Sequence, residues 1–149
     1  MTNRGARSVA ALFAMAAVAA ACVGSTDTIS ERDLARWLEA YGAAWEGRNS
    51  ADVAQLFTAD ALYRETPYAE PFRGREAISA YWDSVTADQD EIEFDFETLA
   101  ITGLTGIAEW SARFRSISND VPVELNGVFV LEFADANRVR ALREWWHAQ

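Results

Sequence analysis

The sequence predicts an α+β fold in which helices pack on one side of an antiparallel sheet, and three observations lead to this fold class. Apolar residues follow a helical period in the N-terminal part of the chain and a period of two after residue 91. No Pro-rich, Gly/Ser-rich or repetitive segment separates the two parts. Helices followed by a run of strands are typical of α+β proteins, so the 149 residues are expected to form one domain.

Three helices are predicted from the spacing of apolar residues. The first covers residues 31–47 after the N-cap residue Ser30, and its apolar face consists of Leu34, Trp37, Leu38, Tyr41 and Trp45. A short second helix is expected to be capped by Ser50 and to contribute Val53, Leu56 and Phe57 to the core. The third covers residues 75–86 and buries Ile78, Tyr81, Trp82 and Val85.

The strands are predicted from alternation and from turn residues. The first covers residues 61–66, ends at Pro67 and has residues 69–72 as its hairpin partner. A long strand begins at Glu91, where apolar and acidic residues alternate along the chain. Three further strands complete a meander, over residues 105–117, 121–134 and 138–147.

Charge and residue types exclude several classes of function. The chain has 13 basic and 23 acidic side chains, a net charge of −10, so we expect no nucleic-acid partner. Because Cys22 is the only cysteine and His147 the only histidine, one copy of the chain lacks the ligands for a disulfide framework or a zinc or iron–sulfur site. We therefore expect no metal and no cofactor.

Residues 1–21 are predicted to be a signal peptide. Arg4 and Arg7 give a positively charged start, and the uncharged apolar stretch that follows is shorter than the about 20 residues that cross a membrane. The residues before the cysteine suit cleavage after Ala21. We therefore expect the protein to be exported.

The position of Cys22 resembles that of the lipidated cysteine of bacterial lipoproteins. Residues 22–29 then form a tether, and residues 30–149 form the domain. An acidic domain is not attracted to an anionic membrane surface, so the lipid alone would hold the protein on the outer side of the cell membrane. The alternatives are secretion without a lipid and a cytosolic protein in which Cys22 is buried and unmodified.

Three segments, residues 56–63, 72–78 and 143–146, resemble the SnoaL-like branch of the nuclear transport factor 2-like superfamily. The resemblance covers about residues 29–148 and implies a curved, mostly antiparallel sheet wrapped around three N-terminal helices as a cone, with an apolar pocket at its open end. The superfamily contains isomerases, polyketide cyclases, epoxide hydrolases, dehydratases and non-catalytic members. Function must therefore be argued from the pocket.

A carboxylate is expected to face this pocket. Tyr63 and Glu65 share one face of the predicted strand, so if the tyrosine faces inward the glutamate does too. The ketosteroid isomerase pattern, placed on this chain, implies a hydrogen-bonding tyrosine at Tyr41 and a catalytic base at Glu65. The acid that completes that pattern is replaced by Phe129, which leaves the predicted oxyanion hole half built.

The limonene epoxide hydrolase pattern fits less well. Tyr63 matches its tyrosine and Glu144 stands at the place of one of its aspartates, whereas Glu65 replaces its asparagine. Trp110 and Ala112 stand where that enzyme has an arginine and its other aspartate. Without these two groups the water-binding carboxylate cannot be held and polarised, so we do not expect epoxide hydrolysis.

The predicted site therefore contains two acids among aromatic residues. Candidate catalytic residues are Glu65, Tyr41 and Glu144, and candidate ligand-binding residues are Tyr63, Trp82, Trp110 and Phe129. The competing interpretation places the aromatic residues in the core and both acids at the rim, each paired with an arginine such as Arg64, Arg140 or Arg143.

Two functions of the pocket remain open at this point, and a protein-binding surface on the exposed sheet face is a third possibility. The first is a module that binds a small apolar molecule in the pocket without catalysis. The second is an isomerase, cyclase or dehydratase that uses Glu65 with a tyrosine as oxyanion donor. The adjacent Trp145 and Trp146 point to opposite sides of their strand, so one is exposed, which agrees with the homodimer through the sheet face that the family resemblance implies.

Overall fold

The computed structural model describes residues 27–149, so the predicted signal peptide and Cys22 lie outside the described residues. The described part contains three helices and six strands. In chain order these are α1 (Glu31–Glu46), α2 (Ser50–Gln55), β1 (Phe57–Arg64), β2 (Phe72–Arg73), α3 (Gly74–Thr86), β3 (Gln89–Thr102), β4 (Thr105–Ser116), β5 (Val121–Phe133) and β6 (Val139–Ala148). None of these helices is long and apolar enough to span a membrane.

Helix α1 begins where the sequence predicts and for the expected reason. The Ser30 hydroxyl accepts a hydrogen bond from the Asp33 amide, and the Asp33 carboxylate accepts one from the Ser30 amide. This capping box satisfies two backbone donors that the first turn leaves free. The apolar face predicted for the helix is buried along its whole length.

The region between α1 and α3 differs from the prediction. Asn49, and not Ser50, caps α2, because its side-chain oxygen accepts from the Asp52 amide at 3.1 Å. Phe57 is the first residue of β1 and not part of the helix, since it pairs with Val139 of β6.

The hairpin partner of β1 is also shorter than predicted. Strand β2 consists of Phe72 and Arg73 only, and residues 65–71 form a loop. Pro67 and Pro71 lie in this loop and lack the amide proton that a paired strand donates.

The six strands form one curved sheet in the order β2-β1-β6-β5-β4-β3. The pairs are antiparallel except for β1 and β6, which run parallel. Register shifts interrupt β3 and the β5–β6 pair, and such irregularities bend a sheet. The helices pack against its inner face, so the predicted α+β fold with a curved sheet is confirmed.

A glycine in β5 leaves room for a tryptophan ring of the neighbouring strand β4. A Cβ atom at Gly127 would lie 2.6 Å from the Trp145 carbonyl oxygen and 2.8 Å from the Trp110 ring. These distances are too short for any side chain, so only glycine lets Trp110 lie across this strand. The glycine therefore fixes the position of an aromatic residue that belongs to the site described next.

Candidate active site

A pocket of about 360 Å³ opens between the helices and the inner face of the sheet. Eight of its lining residues are aromatic, two are acidic and none is basic. The aromatic residues are Tyr41, Trp45, Tyr63, Tyr81, Trp82, Trp110, Phe114 and Trp146, and the acids are Glu65 and Glu144. The volume is at the lower end of the roughly 300–1,000 Å³ that small-molecule sites occupy.

Three side chains from three elements form a hydrogen-bonded row in this pocket. The Tyr63 hydroxyl, from β1, donates to Glu144 Oε1, from β6, at 2.9 Å. The hydroxyl oxygens of Tyr41, from α1, and Tyr63 lie 2.9 Å apart. All three residues are buried, so the row is a polar feature within an apolar environment.

The charge state of Glu144 follows from this environment. The pKa of its carboxyl group is raised from 4.5 to about 8, mainly by burial; the hydrogen bond from Tyr63 lowers this pKa and the nearby charge of Glu65 raises it. Burial and the Glu144 charge also raise the pKa values of the Tyr41 and Tyr63 hydroxyls well above 10.0. All three groups are therefore mainly protonated at neutral pH.

Glu65 lies one residue beyond the end of β1 and faces the same pocket as Tyr63. The prediction from strand parity, that both side chains face inward, is therefore confirmed. Glu65 is only partly buried, so it stands nearer to solvent than Glu144. Tyr81 lines the same pocket, and the pKa of its hydroxyl is raised by burial, then by the charges of Glu144 and Glu65 and by a hydrogen bond with Glu65.

The arginines proposed as partners of the two acids are engaged elsewhere. Arg64 donates to the Ala69 carbonyl, and Arg140 and Arg143 pair with Glu132 at 3.7 and 3.6 Å. Within residues 27–149, no salt bridge involves either pocket acid. The interpretation of the acids as arginine-paired rim residues is therefore wrong.

Phe129 requires a correction, because it does not line the pocket as predicted. Its ring is fully buried behind Trp110, with ring centroids 5.1 Å apart and an interplanar angle of 20°. It pairs directly with Glu144 in the register of β5 and β6, so the two side chains are neighbours on one sheet face.

The other predicted residues, Tyr41, Tyr63, Trp82, Trp110 and Glu144, all line the pocket. Sequence reasoning missed five further lining residues that carry rings or an amide: Trp45, Tyr81, Gln89, Phe114 and Trp146. Trp45 and Tyr81 were recognised as members of helical apolar faces, which could have suggested a pocket role. No comparable signal marks Gln89, because it precedes the regular alternation of β3.

The two adjacent tryptophans of β6 point to opposite faces as predicted. Trp146 lines the pocket, and Trp145 is 45% exposed on the outer face. The homodimer through that face stays a prediction.

Comparisons with known proteins agree with this architecture. Residues 36–141 match the SnoaL-like domain family. A protein of Nocardioides simplex named steroid Delta-isomerase is 25% identical over 113 residues, which cover 76% of this chain and 85% of the relative.

Two solved structures show the same fold at low sequence identity. A hypothetical protein from Catenulispora acidiphila DSM 44928 with a ketosteroid isomerase-like fold, in complex with trimethylamine, has a TM-score of 0.65 and 19% identity, covering 73% of this chain and 83% of that one. The epoxide hydrolase/cyclase-like enzyme SalBIII, described for pyran ring formation in the polyether salinomycin, has a TM-score of 0.68 and 18% identity, covering 79% and 93%.

Proposed function

The chain belongs to the SnoaL-like domain family, and from the acids in its pocket we propose that it is an acid–base enzyme of the isomerase type. Its substrate is a small, mostly apolar molecule with a carbonyl group. Glu65 removes a proton from the carbon beside the carbonyl, and the row of Tyr41, Tyr63 and Glu144 stabilises the oxygen.

The observation that carries this proposal is the position of Glu144. The ketosteroid isomerase pattern has an acid where this chain has Phe129, so the sequence lacked one oxyanion donor. Glu144 is the cross-strand neighbour of Phe129 and joins Tyr63 by a hydrogen bond of 2.9 Å. Strand β6 therefore supplies an acid directly beside the position where the ketosteroid isomerase pattern has its second oxyanion donor.

Counting protons shows what this row can donate. With Glu144 ionised, the two tyrosine protons fill the two hydrogen bonds of the row, and none remains for a ligand. With Glu144 neutral, a third proton is present, and Tyr63 still donates to Oε1. The added proton then lies on the other carboxyl oxygen, which makes no hydrogen bond to a side chain or backbone group of the described residues, and is available to a ligand carbonyl.

The proposed step balances as a proton transfer. The C–H bond beside the carbonyl breaks, its proton passes to the Glu65 carboxylate, and its electron pair forms a carbon–carbon double bond while charge moves to the oxygen. Donation from neutral Glu144 stabilises that oxygen. Return of the proton from Glu65 to a different carbon completes the isomerisation and regenerates the base.

A purely ligand-binding module explains the pocket less well. Aromatic side chains alone would hold an apolar molecule, whereas the second carboxyl oxygen of Glu144 has no hydrogen-bond partner among the described residues, which costs free energy in a buried pocket unless a ligand supplies one. Glu144 is 5% exposed and no cationic side chain of the described region pairs with it. The name of the Nocardioides simplex relative also supports proton transfer beside a carbonyl as the reaction class.

Isomerisation of β,γ-unsaturated ketones tests this proposal. The wild-type domain is mixed with a β,γ-unsaturated 3-ketosteroid and with cyclohex-3-enone, and the conjugated product is followed by its ultraviolet absorbance. We expect turnover of at least one ketone by the wild type and a loss of about 100-fold or more in Glu65→Gln, since a general base contributes about 10²–10⁴-fold.

Glu70→Gln is the matched control, because Glu70 is an exposed glutamate in the same loop. It should retain wild-type turnover. Equal rates in wild type and Glu65→Gln would contradict the assigned base. Tight retention of a ligand by both proteins with no conversion would instead identify a binding module.

A further inference from the structure

Gln89 is a polar residue of the pocket that the proposed reaction does not use. It is the first residue of β3, lines the pocket and is 6% exposed. The Trp45 indole Nε1 donates a hydrogen bond to Gln89 Oε1 at 2.7 Å. One end of the amide is therefore tied to the end of α1.

This hydrogen bond fixes which way the amide points. An indole N–H only donates, so the atom next to it must be the amide oxygen and not the nitrogen. The nitrogen, with two N–H groups, therefore points away from Trp45. It makes no hydrogen bond to a side chain or backbone group of the described residues.

The nitrogen of Gln89 also differs from the other unpartnered donors around the pocket. The indole nitrogens of Trp82 and Trp110 lack partners but are sealed within protein atoms. The Gln89 nitrogen is not among these sealed atoms, although the residue as a whole is buried. Gln89 itself is one of the residues that line the pocket, next to Trp45.

We propose that Gln89 is a second binding residue of the pocket, whose amide group donates a hydrogen bond to an oxygen acceptor on the ligand. This acceptor is separate from the carbonyl held at Glu144. Tyr41 and Trp45, which stand beside the two polar positions, lie one helical turn apart with ring centroids at 6.3 Å. The ligand class is a hydrocarbon frame with two oxygen acceptors, such as a diketone or a hydroxyketone.

The inference rests on the proposed role of the pocket as a ligand site, but it does not require catalysis. A buried donor that a ligand must satisfy selects for ligands that carry the matching acceptor, because an analogue without it leaves the donor unpaired. Gln89 thus distinguishes between ligands of similar shape that differ in this acceptor, whereas the aromatic side chains of the pocket bind ligands with and without it.

The test compares two probes that differ by one oxygen. A bicyclic enone and its enedione, which has a second carbonyl group on the other ring, are titrated into the protein, and binding is followed by tryptophan fluorescence. We expect the wild type to bind the enedione roughly 3- to 10-fold more tightly, the gain typical of one added hydrogen bond.

Gln89→Met is the decisive variant, since its side chain has a similar length but carries neither an N–H to donate nor a carboxyl group that burial could keep protonated. Its preference for the enedione should disappear. Trp45→Phe keeps the amide but frees it from its anchor, so its preference should shrink. Each comparison is a ratio within one protein, which cancels a general loss of folded protein.

Equal binding of both probes by the wild type would overturn the inference, and so would a preference that survives in Gln89→Met or a failure of both probes to bind. Failure of the proposed reaction is recognised separately. A domain that shows the Gln89-dependent preference but no turnover retains the second binding residue and loses only the enzymatic role.

Discussion

Glu144 combines two properties that oppose each other, because its carboxyl group is buried and no cationic side chain of the described region pairs with it. The chain accommodates the group by keeping it protonated and bonded to Tyr63. Such shifted acids concentrate at functional sites. At the scale of single residues, this one side chain therefore connects the stability of the fold to the chemistry proposed for it.

The stability of the protein should depend on pH through Glu144. Between pH 4.5 and about 8 the folded chain binds a proton there that the unfolded chain releases. The free energy of unfolding therefore falls as pH rises through this window. Glu144→Gln has no such titration. Its free energy of unfolding should therefore fall less steeply than that of the wild type, and the difference between the two should be about 1 kcal/mol for each pH unit.

Urea unfolding of wild type and Glu144→Gln at about pH 5 and about pH 8 measures this difference. Glu70→Gln, at an exposed position, should follow the wild type. Parallel pH dependences in wild type and Glu144→Gln would show that the carboxyl group titrates normally in the folded protein.

The candidate site could be predicted from the sequence where a side chain's direction follows from a local period. Strand parity correctly placed Tyr63 and Glu65 on one face, although Glu65 lies just beyond the strand. Phe129 was misplaced because the sequence does not show that the Trp110 ring covers it. Gln89 was missed because its role depends on Trp45, 44 residues away in the chain.

At the scale of elements, both boundaries of α1, α3, β4, β5 and β6 were predicted to within one residue, and the start of β3 to within two, since each has a sustained period and a cap or turn beside it. The segment from α2 to β2 was predicted less well. Strand β1 begins at Phe57 because this residue pairs with Val139 of β6, more than 80 residues later in the sequence. A local pattern carries no information about such a distant partner.

Gly127 offers a test of how one element supports the site. In Gly127→Ala, the new Cβ atom would meet the Trp145 carbonyl oxygen and the Trp110 ring, so β5 or Trp110 must move. We expect a loss of about 1–3 kcal/mol in the free energy of unfolding, together with weaker ligand binding. Chemical unfolding and tryptophan fluorescence measure the two effects.

Gly106→Ala is the matched control on β4. Its Cβ atom would meet the ends of the flexible Leu34 side chain, at 2.8 and 3.0 Å, and of the Ile29 side chain, at 3.4 Å, so the neighbouring strand need not move. This variant should lose less stability and keep ligand binding. Equal losses of stability and ligand binding in both variants would show that Gly127 is not needed to keep Trp110 in its position.

At the scale of the whole molecule, we propose that the domain is exported and held at the cell membrane by a lipid on Cys22, as the sequence predicts. In an expression host with the lipoprotein pathway, wild-type protein should sediment with membranes and incorporate a labelled fatty acid. Cys22→Ser should do neither, because serine has no thiol to form the thioether. Unchanged membrane partition of the variant would contradict the anchor.

The central claim is that the pocket moves a proton beside a carbonyl group, and exchange of α-protons into deuterated water tests it most directly because it needs no complete isomerisation. Proton NMR of cyclohex-3-enone with the wild-type domain should show exchange well above the buffer rate near neutral pH. The exchange should be lost in Glu65→Gln and should decline as the pH passes about 8, where Glu144 ionises. A wild-type rate equal to that of buffer, or one that is unchanged in Glu65→Gln, would contradict the account.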